Sequence, residues 1–240
     1  WQPYMHLIAL SSFWGVLYQS CRNILPVFML MAFMLLGLVF KGPCQAEVDV
    51  PGPILLGEQP RGIAIHNATN RAVVTNEKSN TVSIVDLSTQ TVLSVVPVGN
   101  GPKGVAIDVN KNLALIGNSK DGTVSILDLG TFNVVATVPV GKSPEGMAID
   151  SSTHLAAVAN RLDRTVSVLD LNARQVIATV PAGMEPVDVA ILEANDQPGL
   201  ALVINSVDYN VAVIDFGTFA RTRTLALEKK PSSIDVNSDA

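Results

Sequence analysis

Short apolar runs separated by turns follow one another through most of the chain, from residue 57 to residue 227. In the run TVSIVDL (81–87), polar Thr and Ser alternate with apolar Val and Ile. This period of two is typical of a β-strand that has one covered face. β-branched residues dominate the runs, and no helical period competes with the alternation. The pattern therefore predicts an all-β fold for this part of the chain.

The runs repeat with a period of 42 residues, apart from one interval of 45 residues. Three residue types keep their place in every repeat: Pro60, Pro102, Pro144 and Pro186; Asn76, Asn118, Asn160 and Asn205; Asp86, Asp128, Asp170 and Asp215. This register defines repeats 57–98, 99–140, 141–182 and 183–227, followed by a truncated repeat, 228–240. An insertion between Leu192 and Leu200 explains the longer interval, and we expect it to form a loop that leaves the strands intact.

Each repeat holds four runs, which in the first repeat cover 62–66, 71–76, 81–87 and 91–98. A unit of about 40 residues with four antiparallel strands has the size of one β-propeller blade. Because one such sheet cannot bury both of its faces, neighbouring units stack side by side. The sequence predicts a β-propeller of four-stranded antiparallel blades, with a partial ring of four blades and a stub in residues 47–240.

The segment Val74-Thr75-Asn76, followed by Asn80-Thr81-Val82-Ser83-Ile84-Val85-Asp86-Leu87, carries a family signature. It resembles the YVTN family of β-propeller repeats, which is related to the bacterial YncE-like proteins. The resemblance covers residues 57–227 and is weakest in the fourth repeat, where Tyr209-Asn210 replaces Asn80-Thr81. It implies a ring with more blades than this chain supplies. It also makes an enzyme of the lactonase or lyase type an alternative function.

The constant residues have structural explanations. Each asparagine closes a second strand, where we expect it to adopt a left-handed conformation and bond to the following turn. Each aspartate ends a third strand, where an Asx turn can start the next hairpin. Each proline begins an innermost strand at a place that needs no N–H donor. A catalytic residue is normally needed once, whereas these residues occur four times, so we interpret them as scaffold.

The two ends of the repeat region bear on ring closure. Residues 48–56 resemble a fourth strand, which would complete a blade whose other strands come from the C-terminal side. The chain stops within or just after the first strand of the fifth repeat, at PSSIDVNSDA. We therefore expect the sequence to be part of a longer protein.

The first 46 residues differ in character from the repeats. Residues 24–40 form an apolar run between Arg22 and Lys41, and Cys44-Gln45-Ala46 places small residues as in a signal-peptidase site. We predict an exported protein cleaved after Ala46, located in the periplasm, outside the cell or at its surface. An uncleaved helical anchor is the alternative, because 17 apolar residues are close to the minimum for spanning a bilayer. This segment is the only predicted contact with a membrane.

Charge and composition exclude several classes of function. The chain has 16 basic and 21 acidic residues, and only Arg22 and Lys41 fall in the first 46 residues. The repeats are therefore acidic, which gives nucleic-acid binding no electrostatic support. No cysteine follows Cys44, so we predict neither a thiolate metal site nor a C-x-x-C-H haem attachment. His66 and His154 occupy different repeat positions, and we interpret them as surface turn residues. No metal and no cofactor is predicted.

Candidate binding residues lie where the repeats disagree with one another. In propellers, the loops that join fourth to first strands and second to third strands surround one mouth of the channel. The candidates in these loops are Arg61, Lys78, Lys103, Lys120, Glu145, Arg161 and Tyr209. Their basic members suit an anionic small molecule, a glycan or a protein carboxylate, although charged loop tips also serve simply to keep a surface solvated.

The sequence favours an exported, non-catalytic propeller that acts as a binding or protein-interaction scaffold. The alternatives are the lactonase or lyase type of enzyme and a propeller subunit of a periplasmic redox complex. A propeller enzyme would need carboxylate, Asn and His side chains that converge on the channel. Glu145 is the only acidic side chain among the residues that follow the constant prolines, which argues against such a cluster.

Overall fold

The computed structural model describes residues 52–194 and 197–236. These residues contain sixteen β-strands and one short 3-10 turn, Asn67–Thr69. The strands are β1 Pro60–His66, β2 Arg71–Asn76, β3 Thr81–Asp86, β4 Thr91–Pro97, β5 Pro102–Asp108, β6 Leu113–Asn118, β7 Thr123–Asp128, β8 Asn133–Pro139, β9 Pro144–Asp150, β10 Leu155–Asn160, β11 Thr165–Asp170, β12 Gln175–Pro181, β13 Pro186–Ala194, β14 Gln197–Asn205, β15 Asn210–Asp215 and β16 Ala220–Ala226. The predicted leader, its apolar helix and its cleavage position lie outside the described residues. Within the described ranges, no helix is long and apolar enough to cross a membrane.

The strands form four separate four-stranded sheets, and each sheet keeps the order of its strands in the chain. All neighbouring strands within a sheet are antiparallel, as in the pairing of Val73 with Ile84 between β2 and β3. Each first strand begins at a constant proline, and in β1 a register irregularity separates Pro60 from Ile63. The prediction of an all-β chain with one four-stranded antiparallel sheet per repeat is confirmed, and the arrangement is β-propeller-like.

Neighbouring sheets pack face to face, and an apolar core fills each of the three interfaces. Between the first and second sheets, Val73 and Ile84 pack with Ile116 and Leu127. The corresponding groups are Leu115, Ile126, Val158 and Leu169 between the second and third sheets, and Val166, Val168, Val203 and Ile214 between the third and fourth. The first strands of successive sheets also contact one another, in the order β1, β5, β9 and β13.

The third strands are buried on both faces, so the prediction of a single covered face is wrong. Ser83, Ser125 and Ser167 are at most 1% exposed, as buried as the apolar core. In the second and third sheets the cause is stacking, because each of these sheets has a neighbour on either side. A small hydroxyl side chain can be buried in this position because it receives a hydrogen bond from a constant asparagine, as described below.

The innermost strands approach one another so closely that a side chain would not fit between them. A Cβ atom added to Gly104 would overlap the carbonyl oxygen of Glu145, and one added to Gly146 would overlap the backbone of Asp188. Glycine is the only residue that permits this contact between backbones. In the fourth repeat the same place is taken by Asp188, whose carboxylate Oδ2 accepts a hydrogen bond from the backbone N–H of Ile234 at 3.1 Å.

Two expectations about irregular segments need correction. The insertion of the fourth repeat lengthens β13 and β14, with Leu192 opposite Leu200, instead of forming a loop between unchanged strands. Continued pairing satisfies the added backbone groups, which a free loop would leave to solvent. The predicted strand at 48–56 falls partly outside the described residues, and its described part, 52–56, forms no strand. Residues 231–236 likewise form no strand.

Candidate functional site

A buried asparagine shapes the turn after each second strand. The Nδ2 of Asn118 donates hydrogen bonds to Thr123 Oγ1 at 3.0 Å and to Ser125 Oγ at 2.9 Å. Asn76 and Asn160 make the same pair of bonds with the hydroxyl groups of β3 and β11. None of the constant asparagines has the left-handed conformation that the sequence analysis expected. The left-handed residue comes four positions later, at Asn80, Gly122, Arg164 and Tyr209.

The constant aspartates lie at the opposite ends of the sheets. Asp128 Oδ1 accepts hydrogen bonds from the backbone N–H groups of Gly130 and Thr131, both at 2.8 Å. These bonds, first that from Thr131, hold the pKa of Asp128 below its usual value. Asp86, Asp170 and Asp215 accept the equivalent bonds. This is the Asx turn described in the sequence analysis, and it places the constant aspartates in the turns that start the fourth strands.

At the end of the sheets that carries the candidate residues, two loops of each repeat are joined by backbone hydrogen bonds. In the second repeat, the N–H of Ser119 donates to the carbonyl of Gly101 at 2.9 Å, and that of Lys120 to Asn100 at 3.2 Å. The same two bonds recur in the other repeats, with donors Glu77, Lys78, Arg161, Leu162, Ser206 and Val207. Each repeat therefore brings its two candidate loops together. We call the paired loops of the four repeats the rim.

Side chains add a further bond to each loop pair. The carboxylate of Asp121 accepts the backbone N–H of Asn100 at 2.6 Å, and that of Asp163 accepts the N–H of Lys142 at 2.8 Å. Asp208 does the same for Met184, and Ser79 Oγ takes this role for Glu58 in the first repeat. The rim backbone is thus fixed by two backbone bonds and one side-chain acceptor in every repeat.

The predicted basic residues nearest the first strands form an ion-pair network. Lys103 Nζ lies 2.7 Å from Glu145 Oε1, and Arg161 Nη1 lies 3.5 Å from the same oxygen. Arg161 also contacts Glu185 at 2.9 Å, and Arg61 contacts Glu77 at 2.5 Å. The guanidinium groups of Arg61 and Arg161 hold the pKa of Glu77 and of Glu185, respectively, below the usual value for glutamate.

This network changes the electrostatic picture of the rim. The predicted positive charge at this end rested on the lysine and arginine residues alone, and Glu77 and Glu185 were not among the candidates. Glu77 follows Asn76 directly, and Glu185 precedes Pro186, so each glutamate is next to a constant residue. The structure makes Glu145 a shared acceptor between the second and third repeats, and Arg161 a link to the fourth. The inner rim is consequently an alternation of paired charges instead of a positive cluster.

The three remaining candidates, Lys78, Lys120 and Tyr209, are not part of this ion-pair network. Lys78 pairs with Glu58 at 2.7 Å, and both side chains are largely exposed. Lys120 is exposed and has no carboxylate within ion-pair distance among the described residues. Tyr209 is 46% exposed. Binding at all seven candidate positions stays a prediction.

The outer rim, meaning the rim positions beyond the ion-pair network, is polar in one half, the first two repeats, and carries its large apolar side chains in the other half. At the two loop positions that are bonded to each other, the first repeat presents Glu58 and Lys78, the second Asn100 and Lys120, the third Lys142 and Leu162, and the fourth Met184 and Val207. Tyr209 lies two positions after Val207, where the third repeat has Arg164. Leu162 is 65% exposed, and Val207 is 44% exposed. Of the apolar residues Leu162, Met184, Val207 and Tyr209, only Tyr209 was a predicted candidate. Alignment of each loop position across the repeats would have revealed the others.

The two histidines differ in their burial and in their partners. His66 is 3% exposed, so its interpretation as a surface residue is wrong; neither of its ring nitrogens has a hydrogen-bond partner in the described part of the chain. His66 is the last residue of β1 and is part of the strand, not of the exposed turn that follows it. His154 Nδ1 lies 2.7 Å from the buried carboxylate of Asp108 in the preceding repeat. In the described ranges, no three His, Cys, Asp or Glu side chains are grouped as a metal site would require.

Comparisons with known proteins inform the fold. No protein-family model matches the chain, and no curated protein matches it. Among solved structures, the hydrazine synthase of Kuenenia stuttgartiensis is similar, with a TM-score of 0.64 and 18% sequence identity. The match covers 75% of this chain and 52% of that chain, so this chain spans about half the length of its structural neighbour. At this identity the similarity shows a shared fold and nothing about shared chemistry.

Proposed function

We propose that residues 57–227 are YVTN-type repeats that serve as a non-catalytic binding scaffold, with the rim as the binding surface. One observation carries the proposal: the rim backbone is bonded in the same way in every repeat, while its exposed side chains differ between repeats. A fixed backbone with variable side chains is typical of binding loops on a rigid scaffold. Ordered loops also lose less conformational entropy when a ligand binds.

The state of the rim carboxylates favours binding over proton transfer. A general base works best when its pKa is near the working pH. Arginine side chains instead lower the pKa of Glu77 and Glu185, which keeps both ionised at neutral pH. Glu145 is occupied by Lys103 and Arg161. These groups suit the recognition of a charged or hydrogen-bonding ligand better than acid–base catalysis.

A thermal-shift screen of the full chain tests the proposal, with carboxylate-bearing small molecules, glycans and lactones as probes. We expect at least one anionic compound or glycan to raise the Tm, and we expect Arg61→Ala/Lys103→Ala to abolish that shift. Lys111→Ala is the matched control, because Lys111 lies between β5 and β6 and outside the rim. Turnover of a lactone, or a shift that survives the double substitution, would contradict the proposal.

Export is the second part of the proposal, and the apolar segment 24–40 with the small residues before position 47 supports it. Expression of the full chain in a Gram-negative host, followed by cell fractionation and intact-mass measurement, tests it. The expected product lies outside the inner membrane and begins at Glu47. A full-length cytoplasmic product would contradict export, and a full-length membrane-bound product would establish the anchor instead of cleavage.

A further inference from the structure

The apolar half of the outer rim has the composition of a protein interface. It consists of Leu162, Met184, Val207 and Tyr209, and we call it the apolar rim. All four side chains are at least 39% exposed. Tyr, Met and Arg are enriched at protein interfaces, whereas Lys and Glu are depleted there. Exposed clusters of large apolar side chains on a soluble domain commonly mark such interfaces.

The loops that carry the apolar rim are held by bonds within and between the two repeats. The N–H of Val207 donates to the carbonyl of Met184 at 3.4 Å, which joins the two loops of the fourth repeat. Leu162 belongs to the third repeat, but its neighbour Arg161 bonds to Glu185, the residue after Met184. The ion pair therefore ties the two repeats together at the inner edge of the patch.

The charges around the apolar rim indicate the kind of partner. Asp163 and Asp208 direct their carboxylates to the backbone N–H groups of Lys142 and Met184. Lys142 and Arg164 are exposed, and neither has an ion-pair partner among the described residues. Leu162 therefore lies close to two cations whose charge is available to a ligand. This arrangement complements an apolar side chain flanked by carboxylates.

A groove beside Leu162 offers room for a side chain of the partner. It has a volume of about 430 Å³, and its lining includes Gly141, Asp163, Thr165 and Thr179. Asp163, which lines the groove, directly follows Leu162 in the same loop. Hydroxyl groups on its walls can bond to the backbone or polar side chains of a bound segment.

We propose that the apolar rim docks a polypeptide segment of another protein that contains apolar and acidic side chains. The inference rests on the proposed binding function and assigns it a partner class. A polypeptide fits better than an anionic membrane, because a peptide can place single carboxylates beside Lys142 and Arg164 and away from Asp163, Glu185 and Asp208, whereas a lipid surface presents phosphates to all of these residues. The principal contacts are apolar burial over Leu162 and Val207 and ion pairs with Lys142 and Arg164.

Phage-displayed random peptides, panned against the full immobilised chain, test the inference. We expect enriched peptides to combine large apolar residues with Asp or Glu. Their Kd should rise at least tenfold for Leu162→Lys/Val207→Lys, as expected when two central apolar contacts are lost. Both variants carry the residue that Lys78 and Lys120 place at the equivalent positions, so they are compatible with the loop backbone. Lys78→Ala/Lys120→Ala is the matched control on the polar half and should leave the Kd unchanged.

Several outcomes would overturn the inference. These are the absence of enriched peptides, selection of basic peptides, and binding that is equal for wild type and Leu162→Lys/Val207→Lys. Loss of phosphatidylglycerol-vesicle binding in that variant, without loss of peptide binding, would assign the patch to a membrane. If Arg61→Ala/Lys103→Ala removes the thermal shift while the apolar-rim variant changes nothing, the rim binds ligands but this partner class is wrong.

Discussion

The contacts between neighbouring sheets use the same positions in every repeat, whereas the side chains on the rim change from one repeat to the next. At the interfaces, glycine and β-branched residues recur because each meets a neighbouring backbone or core at a fixed distance. The buried asparagine recurs within three of the sheets because it bonds to two hydroxyl groups of the next strand. On the rim, backbone bonds hold the loops, so the side chains are free of that constraint. Residues that recur in every repeat are therefore explained by packing in this protein. Positions where the repeats differ are the ones at which binding should be tested.

Gly104→Ala should have the largest effect, because it tests an interface position where no side chain fits. The new Cβ would overlap the backbone oxygen of Glu145, which cannot move without separating two sheets. We expect a loss of at least about 3 kcal/mol in the free energy of unfolding, measured by urea denaturation. Gly52→Ala, whose Cβ would meet no atom within 4 Å, is the control and should be neutral. Equal free energies of unfolding for the two variants would show that the two sheets can move apart at little cost in stability.

Asn118→Ala should have the next largest effect. It removes two hydrogen bonds and leaves the hydroxyl groups of Thr123 and Ser125 without their donor. We expect the free energy of unfolding to fall by about 2 kcal/mol, because buried polar groups lose their partners. Asn100→Ala changes the same residue type on the exposed rim and should alter stability by less than about 0.5 kcal/mol. If both variants lost the same free energy of unfolding, the buried asparagines would matter no more to stability than the exposed rim side chains.

A transplanted His–Asp contact tests whether the interfaces are interchangeable. His66 and Asn112 occupy the repeat positions that Asp108 and His154 hold one repeat later, and the buried Asn112 Oδ1 also lacks a partner among the described residues. We expect His66→Asp alone to destabilise the protein, and the added Asn112→His to restore stability with a coupling of about 1–2 kcal/mol. A double-mutant cycle on thermal or urea unfolding measures it. Additive effects would mean that the first interface differs in geometry from the second.

The pH dependence of stability should differ between two carboxylates only three residues apart. Burial raises the pKa of Asp188 at the interface, so its stabilising contribution is present at low pH and lost as the pH rises through the folded value. Arg161 lowers the pKa of Glu185 on the rim, so its contribution is present above about pH 4.3 and lost on acidification. Relative to wild type, Asp188→Asn should therefore gain stability from pH 3 to pH 7, whereas Glu185→Gln should lose it slightly. Parallel pH profiles for the two variants would contradict this assignment.

The strands were predictable because apolar alternation and recurring Pro, Asn and Asp mark both ends of each run. The register even placed β2 correctly at residues 71–76. The burial of Ser125 was not predictable, because alternation within one strand says nothing about a second sheet on its polar face. The extension of β13 was missed for a similar reason, since EANDQPGL has the composition of a turn.

The candidate site was predictable in its location and less so in its chemistry. Reading the rim as a set of cations overlooked Glu77 and Glu185, because adjacency in the sequence does not reveal which charges pair across repeats. The apolar rim combines residues from two repeats, and the Arg161–Glu185 ion pair that links those repeats arises only when they pack together. The burial of His66 was missed because its place at the end of a strand, next to a turn, was interpreted as an exposed one.

The backbone bonds between the rim loops have an evolutionary consequence. Duplication of one repeat copies a pair of loops whose conformation is already secured, so exposed residues such as Lys120 can diverge without endangering folding. The surface chemistry of a new repeat can then change by a few substitutions, while the older repeats keep their own. The same property makes the rim a natural frame for laboratory diversification, in which residues equivalent to Leu162 and Lys120 are randomised together.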